Sequence, residues 1–163
     1  FADGSVNTEP SAEQLADIAG LGAETARWFG FEPLVAVLSS SNYGSVRDER
    51  TNRLARAVEL AKERWKDLVI DGEMQADIAL DPARRATRFG FSELKGEANV
   101  LIFPNLDAAH IATRMIGTIG GATVVGPILM GMRSPVNSLQ RTATVDDIVN
   151  LAAITVLQAQ REY

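Results

Sequence analysis

Residues 99–150 read NVLIFPNLDAAHIATRMIGTIGGATVVGPILMGMRSPVNSLQRTATVDDIVN. Residues 100–103 are apolar in an unbroken run, which suits a strand covered on both faces. Pro104 ends it, because proline cannot donate to a ladder. Asn105 then stands as an N-cap, and Ile111, Met115 and Ile119 recur every four residues as an apolar helix stripe. Gly120 and Gly121 stop that helix. A second apolar strand is expected over 123–130 and a short third over 136–139. The last helix opens at Thr144, with Asp147 three residues on in a capping-box arrangement. The order is strand, helix, strand, strand, helix, with polar residues collected at strand ends. Open α/β sheets place their ligands there.

Upstream the same alternation continues. Residues 1–6 read as the end of a strand already under way, so the chain is expected to be a piece of a longer polypeptide, or else a processed or trimmed one. Ser11 and Gln14 form a capping box ahead of a helix whose stripe is Leu15, Ile18 and Ala19. Gly20 and Gly22 weaken that helix and Gly30 closes it. A strand over 34–38 leads directly into SSSNYGS, residues 39–45. This loop reads in two ways. Ser39, Ser41, Asn42 and the backbone N–H groups could bind an anion or ligand, or the loop is an ordinary strand-to-helix connection. It is not a Walker loop, and no GxGxxG follows a strand.

Leu54, Ala57, Val58, Ala61 and Trp65 give a second helical stripe, with Trp65 as core or interface packing. Residues 68–70 form a short strand before DGEMQAD. If the chain is helical from Glu73, then Glu73 and Asp77 share a face and repel unless something answers them. A metal with an incomplete ligand set, an arginine and the hydroxyl loop are the candidates, beside a plain solvated acidic turn. Residues 81–95, with Arg84, Arg85, Arg88 and Lys95, read as a basic mobile loop. It either lines an anionic site or partner, or is simply solvated.

The 163 residues, 46% apolar and 23% charged, suffice for one globular domain with a sizeable core. The absence of cysteine excludes disulfides, thiolate metal sites and cysteine nucleophiles. A net charge of −5 argues against non-specific nucleic-acid binding. It leaves room for a polyanionic small ligand held by arginines and helix N-termini. No run approaches a membrane span and there is no secretory pattern, so a cytoplasmic location is expected. The recurring strand–helix order gives an α/β fold: three layers, α/β/α, around a largely parallel sheet.

FPNLDAAHIA, GPILMG, SPVNSLQR and TVDDIVNLAAI, with FADGSVNTEPSAEQLADIA, LSSSNYGSVR and IDGEMQADIAL upstream, resemble the phosphate acetyltransferase family. More narrowly, they resemble the phosphotransacetylase-like domain fused behind the catalytic part of large bacterial NADP-dependent malic enzymes. The resemblance implies the isocitrate/isopropylmalate dehydrogenase-like fold. It also implies a division into a second domain, 1–126, and a segment, 127–163, returning toward a preceding domain.

Phosphotransacetylases move an acetyl group between coenzyme A and phosphate. That chemistry needs a base for the thiol proton, arginines for phosphate and donors for the carbonyl oxyanion. The family's functional serine–arginine pair and following aspartate lie in an LSRG…D stretch. By position they are here Gln140, Arg141 and Asp147, with Thr142 for the glycine. Gln140 donates a hydrogen bond but cannot relay a proton as a hydroxyl does. The resemblance therefore implies a coenzyme A-ester site kept for regulation, its candidate residues being Ser39, Ser41, Asn42, Asn105, Gln140, Arg141 and Asp147. Acetyl-CoA would act there as an allosteric inhibitor of malate oxidation by a distant catalytic domain, the one that holds NADP and a divalent metal. Dimers through this domain, and higher oligomers of the parent, are implied too.

Two alternatives stand beside the sensor. One is a working acyltransferase using Arg141 and Asp147. The other is a purely structural dimerisation module, with Trp28, Phe29, Trp65 and the final helix as interface candidates. Asp147 also reads as a simple helix cap, and Arg141 as a surface residue. His110 reads as a hydrogen-bonding or surface residue rather than a metal ligand or base.

Overall fold

The computed structural model describes residues 1–160. The last three residues of the expected 127–163 segment lie outside the described residues. The first helix, α1 (Ala12–Trp28), opens on the Ser11–Gln14 capping box, each side chain satisfying the other's backbone N–H. It runs through Gly20 and Gly22 without a break. Gly20 lies under Trp65, and a Cβ there would overlap the indole. The glycine expected to weaken the helix instead lets a tryptophan approach its backbone.

Strand β1 (Leu34–Leu38) is followed by α2 (Glu49–Arg64), which opens on a reciprocal Asp48–Thr51 cap. Next come β2 (Val69–Met74), the short helices α3 (Ala76–Leu80) and α4 (Pro82–Arg88), and β3 (Val100–Ile102). The helices α5 (Leu106–Ile119) and α6 (Val145–Gln160) complete the described elements. The strands form one parallel sheet in the order β2-β1-β3. Residues 1–6, expected as a strand end, contribute a single parallel bridge from Ala2 to Ile102.

Side chains alternate across this sheet, as a strand's period of two demands. Val35, Val37, Ile70, Val100 and Ile102 face α1 and α2 and bury Leu15, Leu54 and Ala61. Ala36, Leu38, Leu101 and Phe103 face the other way, onto Ile78, Ala79 and Ala109. Both faces are covered, giving the expected three-layer α/β/α arrangement with an open parallel sheet.

Several expectations need correction. Residues 123–130 and 136–139 form no strands. Their apolar pattern reports side chains suited to burial, but a strand also needs a ladder partner, and the described chain supplies none. Asn137 and Gln158 hold this stretch instead. The Asn137 side chain accepts from Leu129 N at 2.8 Å and donates to Gln158 Oε1 at 2.7 Å. Gln158 in turn donates to Leu129 O.

Glu73 lies in β2, not in a helix, and helix begins only at Ala76, so Glu73 and Asp77 do not share a helix face. Residues 81–95 are a solvated basic loop only in part, with Arg84, Arg88 and Lys95 exposed. They contain α4, and Arg85 is buried, donating to the carbonyls of Ile78, Ala79, Leu94 and Gly96. Arg84 pairs with Asp77 and Asp81. The stripe Ile111, Met115 and Ile119 forms on α5 as expected, but it is exposed rather than core.

The chain divides into two compact units, 1–112 and 113–163. The implied return of 127–163 toward a preceding domain remains a proposal.

Candidate functional site

In the first unit, the loop after β1 is bound down onto the end of β2. Ser39 N donates to Met74 O, and Tyr43 N donates to Glu73 O. Gln75 N donates to Asn42 Oδ1, and Gln75 Nε2 to Ser40 O. The seat for this loop is a bulge. Val37 pairs with Gly72 and Leu38 with Met74, so Glu73 is the extra residue. Gly72 has φ 139°, and a Cβ there would fall 2.8 Å from Val37 O. Only glycine fits both conditions. The bulge leaves Glu73 2% exposed, with its carboxylate accepting from Gly44 N at 2.8 Å.

The hydroxyls of SSSNYGS are largely used within the loop. Ser41 is buried; its Oγ accepts from Val46 N and lies 3.2 Å from Ser45 Oγ. Ser39 Oγ accepts from Ser41 N. Asn42 N donates to Ser45 Oγ, while Asn42 O accepts from Ser45 N. Residues 42–45 are thus a tight turn whose central residues, Tyr43 at φ 50° and Gly44 at φ 80°, are both left-handed. Such turns favour asparagine and glycine at their centre. A tyrosine there costs about 1–2 kcal/mol of backbone preference, so the surroundings must hold it.

They do so through Asp71. Its carboxylate accepts from Tyr43 Oη at 2.9 Å, Ser92 Oγ at 2.6 Å, Glu93 N at 3.0 Å and Gly72 N at 2.9 Å. A carboxylate has about four acceptor positions, so Asp71 is a strut with little capacity left for proton transfer. Burial first, and then the Asp71 charge, hold the Tyr43 phenol above its ordinary pKa, which keeps it a donor. The Tyr43 ring packs against Phe89 and Phe91 with centroids 5.0 and 4.8 Å away. Beside this lies an open depression of about 460 Å³, whose lining includes Arg47, Lys62, Asp71 and Glu73.

At the end of the neighbouring strand β3, Asn105 caps α5, its Oδ1 accepting from Ala108 N at 3.0 Å. Its Nδ2 donates to Glu9. Glu9 also meets Arg53, which donates to the carbonyls of Pro10 and Pro104. Asp3 gathers the N–H groups of Ser5, Val6 and Asn7. Burial opposes ionisation of Asp3, but these donors outweigh it and hold its carboxyl below the usual range. Among the described residues, no cluster of three or more metal-ligating side chains is placed to hold a metal ion.

In the second unit, Gln140 O accepts from Ala143 N at 3.0 Å, making a turn that carries Arg141 exposed at the surface. Thr144 and Asp147 then cap α6 reciprocally. Asp147 Oδ2 accepts from Thr144 N and Oγ1, both at 2.8 Å, and Asp147 N donates back to Thr144 Oγ1. These bonds, the backbone one first, hold the Asp147 carboxyl below its ordinary value. His110 is exposed on α5.

The structure thus groups Ser39, Ser41 and Asn42 at the carboxyl end of β1 and Asn105 at that of the adjacent β3. Gln140, Arg141 and Asp147 belong to the other unit. Sequence reasoning missed Tyr43 and Ser92, and it placed Arg85 in a mobile loop rather than in the core. The one available signal was a tyrosine between Asn42 and Gly44, where a turn prefers neither bulk nor an aromatic ring.

A parallel α/β layer with a loop site at its strand ends fits many families, so relatives decide among them. A family model described as phosphate acetyl/butaryl transferase matches residues 1–156. The chain belongs to that family. It is 46% identical over 163 residues to the NADP-dependent malic enzyme of Escherichia coli (strain K12), covering 99% of this chain and 22% of that protein. It is 43% identical over 159 residues to the phosphate acetyltransferase of Bacillus subtilis (strain 168), covering 98% and 49%. The crystal structure of a phosphotransacetylase from Streptococcus pyogenes matches at a TM-score of 0.94 and 38% identity, covering 99% and 49%. The chain spans about half the length of these relatives or less. Members named for two different activities are similar to it at nearly equal identity, so identity alone does not choose between them.

Proposed function

We propose that this phosphotransacetylase-like domain is a regulatory module of a multidomain malic enzyme. It binds acetyl-CoA as an allosteric inhibitor, supports oligomerisation and has no transferase activity of its own. The parent would oxidatively decarboxylate malate to pyruvate with NADP and a divalent metal, both held outside this chain. The observation that carries the reading is Gln140. The position matching the family's functional serine holds an amide, which can donate to a bound carbonyl but cannot relay a proton. Asp147 agrees with this, since a carboxylate committed to Thr144 and held at low pKa is a weak base toward a thiol with an ordinary pKa of about 8.5. Arg141, exposed just ahead of the N-terminus of α6, still suits an anionic ligand. Regulation needs only that acetyl-CoA prefers one of two states of the assembly.

The test pairs two measurements on the purified parent. Acetyl-CoA is expected to raise the melting temperature, and phosphate-dependent release of thiol from acetyl-CoA is expected to be absent. Steady thiol release would favour the second reading, a working transferase, for which the retained Arg141 speaks. No protection by any coenzyme A ester would leave the structural dimerisation module. The exposed apolar residues of α5 and α6 support that third reading.

A further inference from the structure

Tyr43 and Phe89 pack against the second core cluster, but packing does not account for Phe91. Phe91 is 69% exposed, yet it stands edge-on to Tyr43 and 6.1 Å from Phe89, so the three rings form one cluster opening to solvent. The cluster is tied down by hydrogen bonds to Asp71. Tyr43 is locked by its hydroxyl to Asp71, and the same carboxylate holds Ser92 and the backbone of Glu93, the two residues after Phe91. Tyr43 also occupies a left-handed turn position that asparagine or glycine would fill more easily, so its ring is kept against the local preference.

One cation lies beside the Tyr43 turn and a second adjoins Phe89 in the sequence. A Cβ on Gly44 would sit 3.6 Å from Arg47 Nε, which places that guanidinium beside the Tyr43 turn. Arg88 is exposed at the end of α4, directly before Phe89. Arg50, Arg53, Arg56, Arg64 and Arg84 are all in ion pairs, but among the described residues neither Arg47 nor Arg88 has an ion-pair partner. Aromatic rings beside uncommitted arginines complement a ligand that is a flat base carrying phosphates. Three rings, two of them partly buried, offer far less than the roughly 800 Å² per side of a stable protein interface.

We propose that Tyr43, Phe89 and Phe91 form a stacking platform for the adenine ring of the coenzyme A ester, with Arg47 and Arg88 supplying charge for its phosphates. This rests on the coenzyme A-ester reading above.

The test is calorimetric titration of the parent protein, native and Phe91→Ala, with acetyl-CoA, 3′,5′-ADP, 5′-ADP and S-acetyl-4′-phosphopantetheine. Phe91 is exposed, so its loss should not unfold the chain. The expected result is that Phe91→Ala weakens acetyl-CoA and 3′,5′-ADP by about tenfold, leaves the pantetheine ester unchanged, and is rescued by Phe91→Trp. Equal binding of acetyl-CoA by native and variant protein overturns the platform and leaves the coenzyme A-ester reading standing. No binding of acetyl-CoA by the native protein overturns both. Tighter binding of 5′-ADP than of acetyl-CoA would assign the rings to a free nucleotide, and a changed oligomeric state at unchanged acetyl-CoA affinity would assign them to a protein contact. Either overturns the proposal.

Discussion

Replacing Asp71 by asparagine keeps the side chain's shape and turns part of its acceptor surface into a donor, facing donors that already point at it. Asp71→Asn is expected to cost about 2–3 kcal/mol, read as a lower urea midpoint at unchanged slope. Gly20→Ala sets two effects against each other. Alanine gains about 1 kcal/mol of helix preference over glycine, but its Cβ needs the space of the Trp65 indole. The half-exposed indole can move, so the expected outcome is a red-shifted tryptophan emission with little net stability change. The gain appears in full only when Trp65→Ala is added. At this scale the sequence was legible where a residue acts on its own neighbours. Asn105 was read as the α5 cap, and it is. Tyr43 was not legible because its partners, Asp71, Phe89 and Phe91, are distant in sequence, and no local pattern announces them.

Caps and covered strands follow the same logic among the elements. Ser11 with Gln14 and Thr144 with Asp147 were read from spacing of three, and both boxes form. Ser11→Ala should cost about 1 kcal/mol, measured by thermal unfolding. The Asp147 box makes a pH prediction. Its carboxyl is depressed in the folded chain, so its contribution to α6 is present above the unfolded value of about 3.9 and is lost as pH falls through the lower folded value. A carboxyl NMR titration should place its midpoint below 3.9, and a midpoint at or above that value contradicts the cap. Residues 123–130 and 136–139 mark the limit of pattern reading. Apolar runs became paired strands at 34–38 and 100–102 because each had a neighbour in the sheet, whereas these two did not. Glu73 failed for a related reason. Its helix reading ended the strand at Ile70, but β2 runs through the bulge to Met74.

For the whole molecule, the α/β layering was legible because unbroken apolar runs on the strands and stripes on α1 and α2 call for a sheet covered on both faces, and a core lies on each face. The α5 stripe was legible as a pattern but not as a location, since Ile111, Met115 and Ile119 find no cover within the described residues. In the proposed oligomer that face is an interface, so Ile119→Glu should lower the mass seen by light scattering while leaving helicity unchanged. No helix among the described residues is long and apolar enough to cross a membrane. The central claim is that Arg141 and its neighbours report acetyl-CoA to a malate-oxidising partner domain, and it is tested most directly on the intact parent. Malate-dependent NADP reduction is followed while acetyl-CoA is titrated, in the native protein and in Arg141→Ala. The account predicts inhibition of the native enzyme and escape of the variant, and a native enzyme that oxidises malate at an unchanged rate at every acetyl-CoA concentration would contradict it.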